Sequence, residues 1–314
     1  MKNVTEITYF TLVGLSDDPQ TMNGLFVLFL LIYLMTVIAN LLIFLLVLTD
    51  YHLHNPMYFF LANLAFLDMC YSSVTAPRML FDLVTKKRSI SISACIAQTF
   101  FYLCFAGSEI FLLSAMSYDR YIAICHPLHY KLIMSWRLCA RMASLSWVAS
   151  SSVSLVYTLF LLRLSFCRTA SIHSFFCDLP HLFQITCTDT FINMVAIFVL
   201  SGGLGLAAFL LTFIPYVYIF RTSLRIRTKT GKMKAFSTCS SHLTVVFIFF
   251  GSIIFIYFVP SSSNMFNLNK LISVISALIT PLLNPLIYSL RNKDIMEALQ
   301  RSYYHLKSIL KTNM

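Results

Sequence analysis

Seven long apolar stretches are the feature that most restricts how this 314-residue chain can fold. Each is long enough to cross the hydrocarbon core of a bilayer as an α-helix, which takes about 20 residues for roughly 30 Å. Five stretches contain no Asp, Glu, Lys or Arg, and the other two contain one acid each, Asp68 and Glu109. The seven predicted spans are Leu25 to Leu48, Met57 to Ala76, Ile96 to Tyr118, Met142 to Leu162, Phe191 to Phe220, Ala235 to Val259 and Leu271 to Leu290.

The composition agrees with a membrane protein and excludes an ordinary soluble one. Apolar residues make up 58% of the chain and charged residues only 11%, whereas soluble domains carry about 25% charged residues. The stretches are continuously apolar and do not alternate as barrel strands do, so helices are predicted. The fold class is therefore an all-α membrane protein: an amino-terminal segment (1–24), a seven-helix transmembrane bundle (25–290) and a tail (291–314).

Lys and Arg residues predict the orientation of the spans, because cytoplasmic loops carry an excess of them. The amino terminus and the loops after the second, fourth and sixth spans hold eight of the 23 basic residues, and the opposite side holds the other fifteen. The amino terminus is therefore predicted to lie outside the cell and the carboxyl terminus in the cytoplasm. Asn3 begins a glycosylation sequon on the outer side. Topology thus explains the net charge of +11 without a nucleic-acid partner.

The nine cysteines divide according to this topology. Five lie in spans or on the cytoplasmic side, where thiols stay reduced, and four face the oxidising side. These four, which allow three pairings, are Cys95, Cys167, Cys177 and Cys187. His173, Cys177 and His181 also recur at a helical spacing that would suit a metal ion, but a disulfide explains Cys177 without one.

Four sequence blocks make the chain recognisable: LHNPMYFFLANLAFLD from Leu53, MSYDRYIAICHPLHY from Met116, KAFSTCSSHL from Lys234 and PLLNPLIYSLRNKDI from Pro281. Together they resemble the odorant (olfactory) receptors, and KAFSTCSSHL resembles their class II, or tetrapod-type, subgroup. The wider resemblance is to rhodopsin-like G protein-coupled receptors, through Asn40, Asp68, Asp119-Arg120-Tyr121, Trp147 and Asn284-Pro285-Leu286-Ile287-Tyr288. Pro215 departs from the pattern, since the family usually has Ser before Tyr216.

The resemblance implies a receptor of the plasma membrane that catalyses no covalent chemistry. It would bind a small volatile odorant, activate a heterotrimeric stimulatory G protein and raise cyclic AMP. The resemblance also implies disulfides between Cys95 and Cys177 and between Cys167 and Cys187. These bonds would fold the outer loop over the mouth of the helical bundle.

The two acids inside spans are expected to share one polar site. An isolated charge at the centre of a spanning helix costs about 3 kcal/mol, so each acid needs partners. Asp68 and Glu109 are predicted at similar depths, together with Asn40 and Asn284. This group would hold a sodium ion, as the matching position does in rhodopsin-like receptors, or share a proton. The alternative is a fixed polar network that only joins helices.

The resemblance assigns an activation switch to the inner ends of the spans. Asp119 is expected to hold Arg120 until the sixth span swings outward, after which Tyr216 and Tyr288 would offer their hydroxyls to Arg120. Pro285 removes a backbone donor and predicts a hinge. The opened crevice, between the 221–234 and 126–131 segments, suits the terminal helix of a G protein. The full set is Asp119, Arg120, Tyr121, Tyr216, Asn284, Pro285 and Tyr288.

By the same resemblance, the ligand pocket lies in the outer halves of the third, fifth, sixth and seventh spans. Position 102 holds Tyr and not an acid, and the outer half of the sixth span has no Lys or Arg. Both features favour a neutral volatile, which would accept or donate one hydrogen bond with Tyr257 or Tyr102. Core packing is the alternative for each of these residues. They are Tyr102, Leu103, Ala106, Gly107, Ile110, Leu200, Leu204, Phe250, Ile254, Tyr257, Val274 and Ala277.

The segment after the last span predicts an amphipathic helix lying on the membrane. Its apolar residues Ile295, Leu299, Leu306 and Leu310 recur near helical spacing.

Two other function classes are disfavoured. A transporter or channel would show a polar path or paired broken helices, and neither is visible. An enzyme would need a nucleophile or metal-ligand set within the spans, which the sequence lacks.

Overall fold

The computed structural model of the chain describes residues 8–166, 171–225, 228–258, 266–290 and 292–312. A π-helical turn lies at Ile275–Ile279, and single 3₁₀ turns lie at Tyr51–Leu53 and Pro127–His129. The strands are β1 (Tyr9–Leu12), β2 (Ser89–Ser91) and β3 (Ser171–Ile172). The helices are α1 (Pro19–Thr49), α2 (Pro56–Thr85), α3 (Ile92–Cys125), α4 (Tyr130–Ile133), α5 (Trp136–Leu162), α6 (Leu179–Gln184), α7 (Phe191–Arg225), α8 (Lys229–Phe258), α9 (Phe266–Val274), α10 (Thr280–Leu290) and α11 (Lys293–Thr312).

Within the described residues, seven helices are long and apolar enough to cross a membrane, which confirms the predicted seven-helix bundle. They are α1, α2, α3, α5, α7, the Cys239–Ile256 part of α8 and the Lys270–Tyr288 stretch of α9 and α10. The predicted amphipathic helix is also confirmed as α11. Its Ile295 is buried against the bundle, while Tyr303 and Tyr304 are exposed.

Polar caps explain why the first spanning helices begin where they do. Asp18 caps α1 by accepting the Thr21 N–H at 2.8 Å, and Pro19 follows as the first helical residue, so α1 starts before the predicted Leu25. α2 continues past the predicted end at Ala76 to Thr85, and an Arg78–Asp82 ion pair of 2.9 Å joins successive turns of this extension.

A three-stranded sheet, which the sequence analysis missed, covers one end of the bundle. The strand order is β2-β1-β3, with β1 antiparallel to β2 and parallel to β3. Phe10 and Leu12 of β1 point to the same face and are fully buried. We call this end the cap end, and the opposite end, which carries α11, the tail end.

Two basic side chains fasten the amino-terminal segment to the cap end. The Arg88 guanidinium donates to the carbonyl oxygens of Val13 and Ser16 and pairs with Asp17 at 2.6 Å. Lys270 donates to the Gly14 carbonyl at 2.7 Å. Gly14 has φ +74°, a left-handed conformation that glycine adopts without strain. The segment is therefore part of the folded cap.

The Cys95–Cys177 disulfide joins the start of α3 to the loop between α5 and α7, with a Cα–Cα distance of 5.4 Å. This confirms the first pairing that the resemblance implies. Cys167, of the second predicted pair, lies outside the described residues, as does Asn3. The metal alternative loses its basis, because Cys177 is disulfide-bonded and His181 pairs with Asp178 at 2.5 Å. Within the described ranges, no group of three His, Cys, Asp or Glu residues is placed to hold a metal ion.

The seven spans do not pack equally. On α7, the buried residues are Ala208, Thr212, Tyr216, Ile219 and Ser223, spaced by three or four positions, so one narrow stripe faces the bundle. This stripe is confined to the half of α7 nearer the tail end. Ser114 and Ser117 of α3 hold the stripe by hydrogen bonds to Thr212, at 2.8 Å to its hydroxyl and 2.6 Å to its carbonyl. The helix runs unbroken through Pro215.

Candidate functional site

The two acids inside spans meet at one amide group. The Asn284 side-chain NH₂ donates to both carboxylate oxygens of Asp68, at 2.9 and 3.1 Å, and to Glu109 Oε1 at 3.1 Å. All three side chains are essentially inaccessible to solvent. The structure therefore brings together three of the four predicted members of the polar site, one each from α2, α3 and α10.

Asn40, the fourth predicted member, binds the backbone instead of the acids. Its side-chain NH₂ donates to the carbonyl oxygens of Thr36 and Pro281, each at 3.0 Å. Pro285 has no N–H, so the Pro281 carbonyl, four residues earlier, lacks its usual helical donor. Asn40 supplies that donor from α1 and so joins the first span to the predicted hinge in α10.

The buried side-chain atoms of this site that lack a partner among the described residues are both acceptors, Glu109 Oε2 and Asn284 Oδ1. Asn40 Oδ1 is likewise buried without a partner in the described part of the chain. Two neighbouring carboxylates with one neutral donor between them repel each other if both are ionised. Oxygen-only ligands are what hard cations prefer, and a proton on one acid would also relieve the repulsion. The donor set therefore fits a sodium ion or a shared proton.

At the tail end, Asp119 of the predicted switch binds Arg120, which we call the closed arrangement, and Tyr130 joins the pair. Arg120 contacts Asp119 Oδ2 through two nitrogens, at 2.5 and 3.1 Å. The Tyr130 hydroxyl donates to the other oxygen, Asp119 Oδ1, at 2.6 Å. Burial, followed by the Asp119 carboxylate, raises the pKa of Tyr130, so its phenol keeps the proton that it donates. Tyr130 is the last residue of the MSYDRYIAICHPLHY block, and this position was the sequence feature that could have indicated its role.

His242 of α8 is a second residue that the sequence analysis did not single out. Its Nδ1 atom contacts the Tyr216 hydroxyl, and the two rings stack with centroids 5.7 Å apart. The centroid of the Tyr288 ring lies 6.1 Å from that of the His242 ring. The Tyr288 hydroxyl and His242 Nε2 are buried and have no partner in the described part of the chain. Tyr121 points elsewhere, with its hydroxyl 3.2 Å from His126 Nε2.

Two further side chains, Tyr58 and Arg301, connect the region of α11 to the start of α2 and to the loop between α1 and α2. Tyr58, at the start of α2, donates to Asp294 at 2.7 Å and to Asn292 at 3.0 Å. Arg301 donates to Asp50 Oδ2 through two nitrogens, at 2.7 and 2.9 Å. The tail helix is therefore held by polar bonds as well as by the buried Ile295.

The predicted ligand residues fall into three places. Tyr102, Val274 and Ala277 share one buried cluster with Tyr71 and Phe176. Ile110 and Phe250 belong to the larger core towards the tail end, where Phe250 packs against Phe209 at 5.7 Å. Leu200 packs beneath the sheet of the cap end, and Leu103 lies between that cluster and the Tyr102 cluster. Ala106 lies between the first two clusters.

Other predicted ligand residues lie at the edge of the bundle. A methyl group at Gly107 would lie 3.0 Å from Ser150 Oγ, so the side of Gly107 where a side chain would project is packed closely against α5. Leu204 is 36% exposed and Ile254 is 51% exposed. The Tyr257 side chain lies outside the described residues. The structure thus brings Tyr102, Val274 and Ala277 together but does not gather all twelve residues into one site.

Comparisons with known proteins agree with the sequence blocks. A model of the olfactory receptor family matches residues 29–305. Olfactory receptor 1G1 of Gorilla gorilla gorilla and olfactory receptor 1J21 of Mus musculus are each 47% identical over 300 residues, which cover 96% of this chain and 96% of each relative. Olfactory receptor 1N1 of Homo sapiens is 45% identical over 305 residues, covering 97% of this chain and 98% of that protein.

Proposed function

This chain belongs to the olfactory receptor family, and from that premise we propose that it binds a small neutral volatile and activates a stimulatory G protein, raising cyclic AMP. A member of this family is a multi-pass membrane receptor and not an enzyme. The observation that carries the coupling is the Asp119–Arg120 ion pair, which holds a guanidinium at the tail end.

The ligand binds on the cap side of the bundle, next to Tyr102, Val274 and Ala277. This cluster combines apolar surface for dispersion contacts with the Tyr102 hydroxyl for one hydrogen bond. An amine would require a carboxylate at the Tyr102 position, and a carboxylate ligand would require a basic residue in the cap half of α8. The chain supplies neither, which supports a neutral volatile.

Activation opens the tail end by exchanging hydrogen-bond partners. Arg120 leaves Asp119 when α8 moves away from α3, and it then takes the hydroxyls of Tyr216 and Tyr288. In the present structure His242 Nδ1 contacts the Tyr216 hydroxyl, so His242 competes with Arg120 for a hydrogen bond to that hydroxyl. The opened tail end, rimmed by the 221–234 and 126–131 segments, receives the terminal helix of the G protein.

The cap end faces the extracellular side of the plasma membrane. A disulfide at this end supports that orientation, because disulfides persist in oxidising compartments. The excess of Lys and Arg on the opposite side supports it independently. Asn3 is then glycosylated outside the cell, and α11 lies on the cytoplasmic leaflet, where basic residues are attracted by anionic lipids.

The site formed by Asp68, Glu109 and Asn284 takes a sodium ion or a single shared proton, with Asn40 beside it. A bound cation would neutralise the two carboxylates and use the buried oxygens that lack donors. Without it, the same side chains hold three helices together through one amide group. Asp68→Asn removes one charge and should abolish any effect of sodium on the melting temperature of the purified receptor. An equal sodium effect in the native chain and in Asp68→Asn would contradict the cation site.

Cyclic AMP in cells that express this chain with an olfactory-type stimulatory G protein tests the proposal. A panel of neutral volatiles should contain at least one that raises cyclic AMP, and Arg120→Ala should remove that response. Arg137→Ala is the matched control, because Arg137 is also a tail-end arginine but is exposed. Surface staining must show equal amounts of each variant. A response that survives Arg120→Ala would overturn the proposed coupling.

A further inference from the structure

The α7 helix lacks one backbone hydrogen bond inside its buried half. Pro215 has no N–H, so the Leu211 carbonyl, four residues earlier, cannot accept the bond that a helix normally gives it. Proline inside a helix commonly produces a kink for this reason. The α7 helix nevertheless continues from Phe191 to Arg225. A turn with one bond missing is easier to deform than its neighbours, unless contacts from outside the helix hold it.

Two serines of α3 supply such contacts. The Ser117 hydroxyl donates to the carbonyl of Thr212, the residue next to Leu211, at 2.6 Å. The Ser114 hydroxyl lies 2.8 Å from the Thr212 hydroxyl and 3.2 Å from the Ala208 carbonyl. Ser117, Thr212 and Ala208 are inaccessible to solvent. The α3 helix therefore holds both the backbone and a side chain of α7 on the turn that Pro215 weakens.

The two serines do not hold α7 equally well. A hydroxyl has one proton, so it donates one hydrogen bond at a time. Ser114 lies within reach of three acceptors, and one of them is the Ile110 carbonyl of its own helix, at 3.1 Å. Ser117 gives its proton across to α7, to the Thr212 carbonyl. The short bond from Ser117 is therefore the main contact from α3 to the α7 backbone at this level.

This contact lies one helical turn from a residue of the predicted switch. Thr212 and Tyr216 are four positions apart and belong to the same buried stripe of α7. Ser117 also hydrogen-bonds with the Tyr216 side chain. On α3, Ser117 precedes Arg120 by three positions, so the two share one face of that helix. Ser117 therefore connects the α7 turn that carries Tyr216 to the α3 turn that carries Arg120.

We propose that Ser117 is a positioning residue of the activation switch. By bonding to Thr212 it compensates for the hydrogen bond that Pro215 removes, and it keeps Tyr216 within reach of Arg120. The inference rests on the proposed exchange of partners by Arg120 and adds the contact that keeps Tyr216 in place for that exchange. Because the chain has Pro215 where the family usually has Ser, it depends on Ser117 more than a chain with an N–H at that position would.

Hydrogen exchange of the purified receptor tests the contact without any odorant or G protein. Ser117→Ala should raise amide exchange in residues 213–219 about fivefold, because one hydrogen bond of local stability is lost. Ser108→Ala is the matched control. Ser108 is equally buried in α3, but its hydroxyl donates to the Cys104 carbonyl of its own helix at 2.8 Å, so exchange in residues 213–219 should not change. Unchanged exchange in Ser117→Ala would overturn the inference.

Pro215→Ala tests whether Ser117 compensates for the missing backbone bond. Alanine supplies an N–H, so the Leu211 carbonyl regains its helical donor. With Pro215→Ala present, the rise in exchange caused by Ser117→Ala should therefore shrink to less than about twofold. An equal rise in the native and Pro215→Ala backgrounds would overturn the proposed compensation.

Binding of a synthetic peptide, the terminal helix of a stimulatory G protein, separates positioning of Tyr216 from general packing. Ser117→Ala should weaken binding of this peptide to the purified receptor about fivefold, and Ser108→Ala should not. In a Tyr216→Phe background, where the hydroxyl is already absent, Ser117→Ala should cause no further loss. An equal loss in both backgrounds would overturn the positioning role.

The two kinds of experiment also separate this inference from the proposed function. A native chain that does not bind the peptide would overturn the proposed coupling, and the positioning role with it. The exchange measurements would still decide whether Ser117 holds α7 beside Pro215, because they require neither a ligand nor a G protein.

Discussion

The two ends of the bundle are held together by different kinds of bonds. The cap end has a disulfide, a β-sheet ladder and backbone carbonyls bound by Arg88 and Lys270. The tail end is held by side-chain pairs, chiefly Asp119 with Arg120 and Tyr130. A disulfide and a ladder cannot exchange partners without breaking the local fold, whereas side-chain pairs exchange by changing rotamers. The difference fits the activation that we propose, in which the cap end keeps its shape while the tail end opens.

The largest expected effect comes from removing the disulfide of the cap end. Cys95→Ser should cost about 4 kcal/mol, because the bond closes a long loop in the unfolded chain. The bonded residues are 82 positions apart. Cell-surface staining and the melting temperature of the purified receptor measure the loss. Cys70→Ser, which changes a free cysteine, should be close to native. Equal melting temperatures for the two variants would contradict the rigid cap.

Replacing Arg88 tests the polar part of the cap. Arg88→Met removes the bonds to Val13, Ser16 and Asp17 and should cost about 2 kcal/mol. Hydrogen exchange should rise in residues 8–17 more than in the spanning helices. Lys86→Met is the control, since Lys86 is exposed in the same loop. Unchanged exchange in residues 8–17 would show that the sheet alone holds this segment.

At the tail end, Tyr130→Phe should shift the equilibrium between the closed and open states. The variant loses a 2.6 Å hydrogen bond to the Asp119 carboxylate, which also pairs with Arg120, and such a bond is worth about 1.5 kcal/mol, or roughly tenfold. Cyclic AMP without a ligand should therefore rise. Tyr218→Phe, at an exposed position of α7, should leave the basal signal as it is. A basal signal that falls or stays constant in Tyr130→Phe would argue against a role of Tyr130 in holding Asp119 and Arg120 in the closed arrangement.

The Asp50–Arg301 pair should give a smaller effect, because Arg301 is 41% exposed. A partly exposed ion pair contributes about 0.5 kcal/mol. Asp50→Arg and Arg301→Asp should each lower the melting temperature slightly, and the double variant, which restores opposite charges, should recover part of the loss. If the losses of the two single variants simply add in the double variant, the pair does not couple α11 to the loop.

The smallest effect concerns pH at the cap end. Burial alone would lower the pKa of His181, but the Asp178 carboxylate at 2.5 Å outweighs burial and the repulsion from Lys270, so the pKa is raised. A raised pKa stabilises the fold fully below the ordinary value of about 6.5, and the stabilisation is lost as pH rises through the raised value. The melting temperature should therefore fall slightly above neutral pH. His181→Gln should flatten that dependence, and a native-like slope in the variant would exclude His181 as its source.

Local composition was sufficient to predict the spanning helices and α11. A run of apolar residues of membrane length has few alternatives, because a bilayer leaves unpaired backbone groups without partners. The same argument singled out Asp68 and Glu109, since an acid inside such a run is costly. The Cys95–Cys177 bond depended on the family resemblance, because spacing alone left three pairings open.

Several parts of the site depended on residues that are distant in sequence. The strands β1 and β3 are four and two residues long and pair across about half of the chain, so no local pattern marks them. Asn40 was predicted beside the acids, yet it binds the carbonyl that Pro285 leaves without a donor. The spacing on α3 predicted Gly107 in the pocket, but a side chain at this position would project against Ser150 of α5.

The sequence by itself determined the number of spans and the buried acids, because these follow from the length and chemistry of continuous segments, and its four blocks indicated the family. Only the tertiary structure decided which partners those residues find. It placed Tyr130 on Asp119, His242 on Tyr216 and Phe176 on Tyr102. The physical reason is that a hydrogen bond or a ring contact depends on positions within a few ångströms, and separate helices reach such positions only when the whole bundle packs.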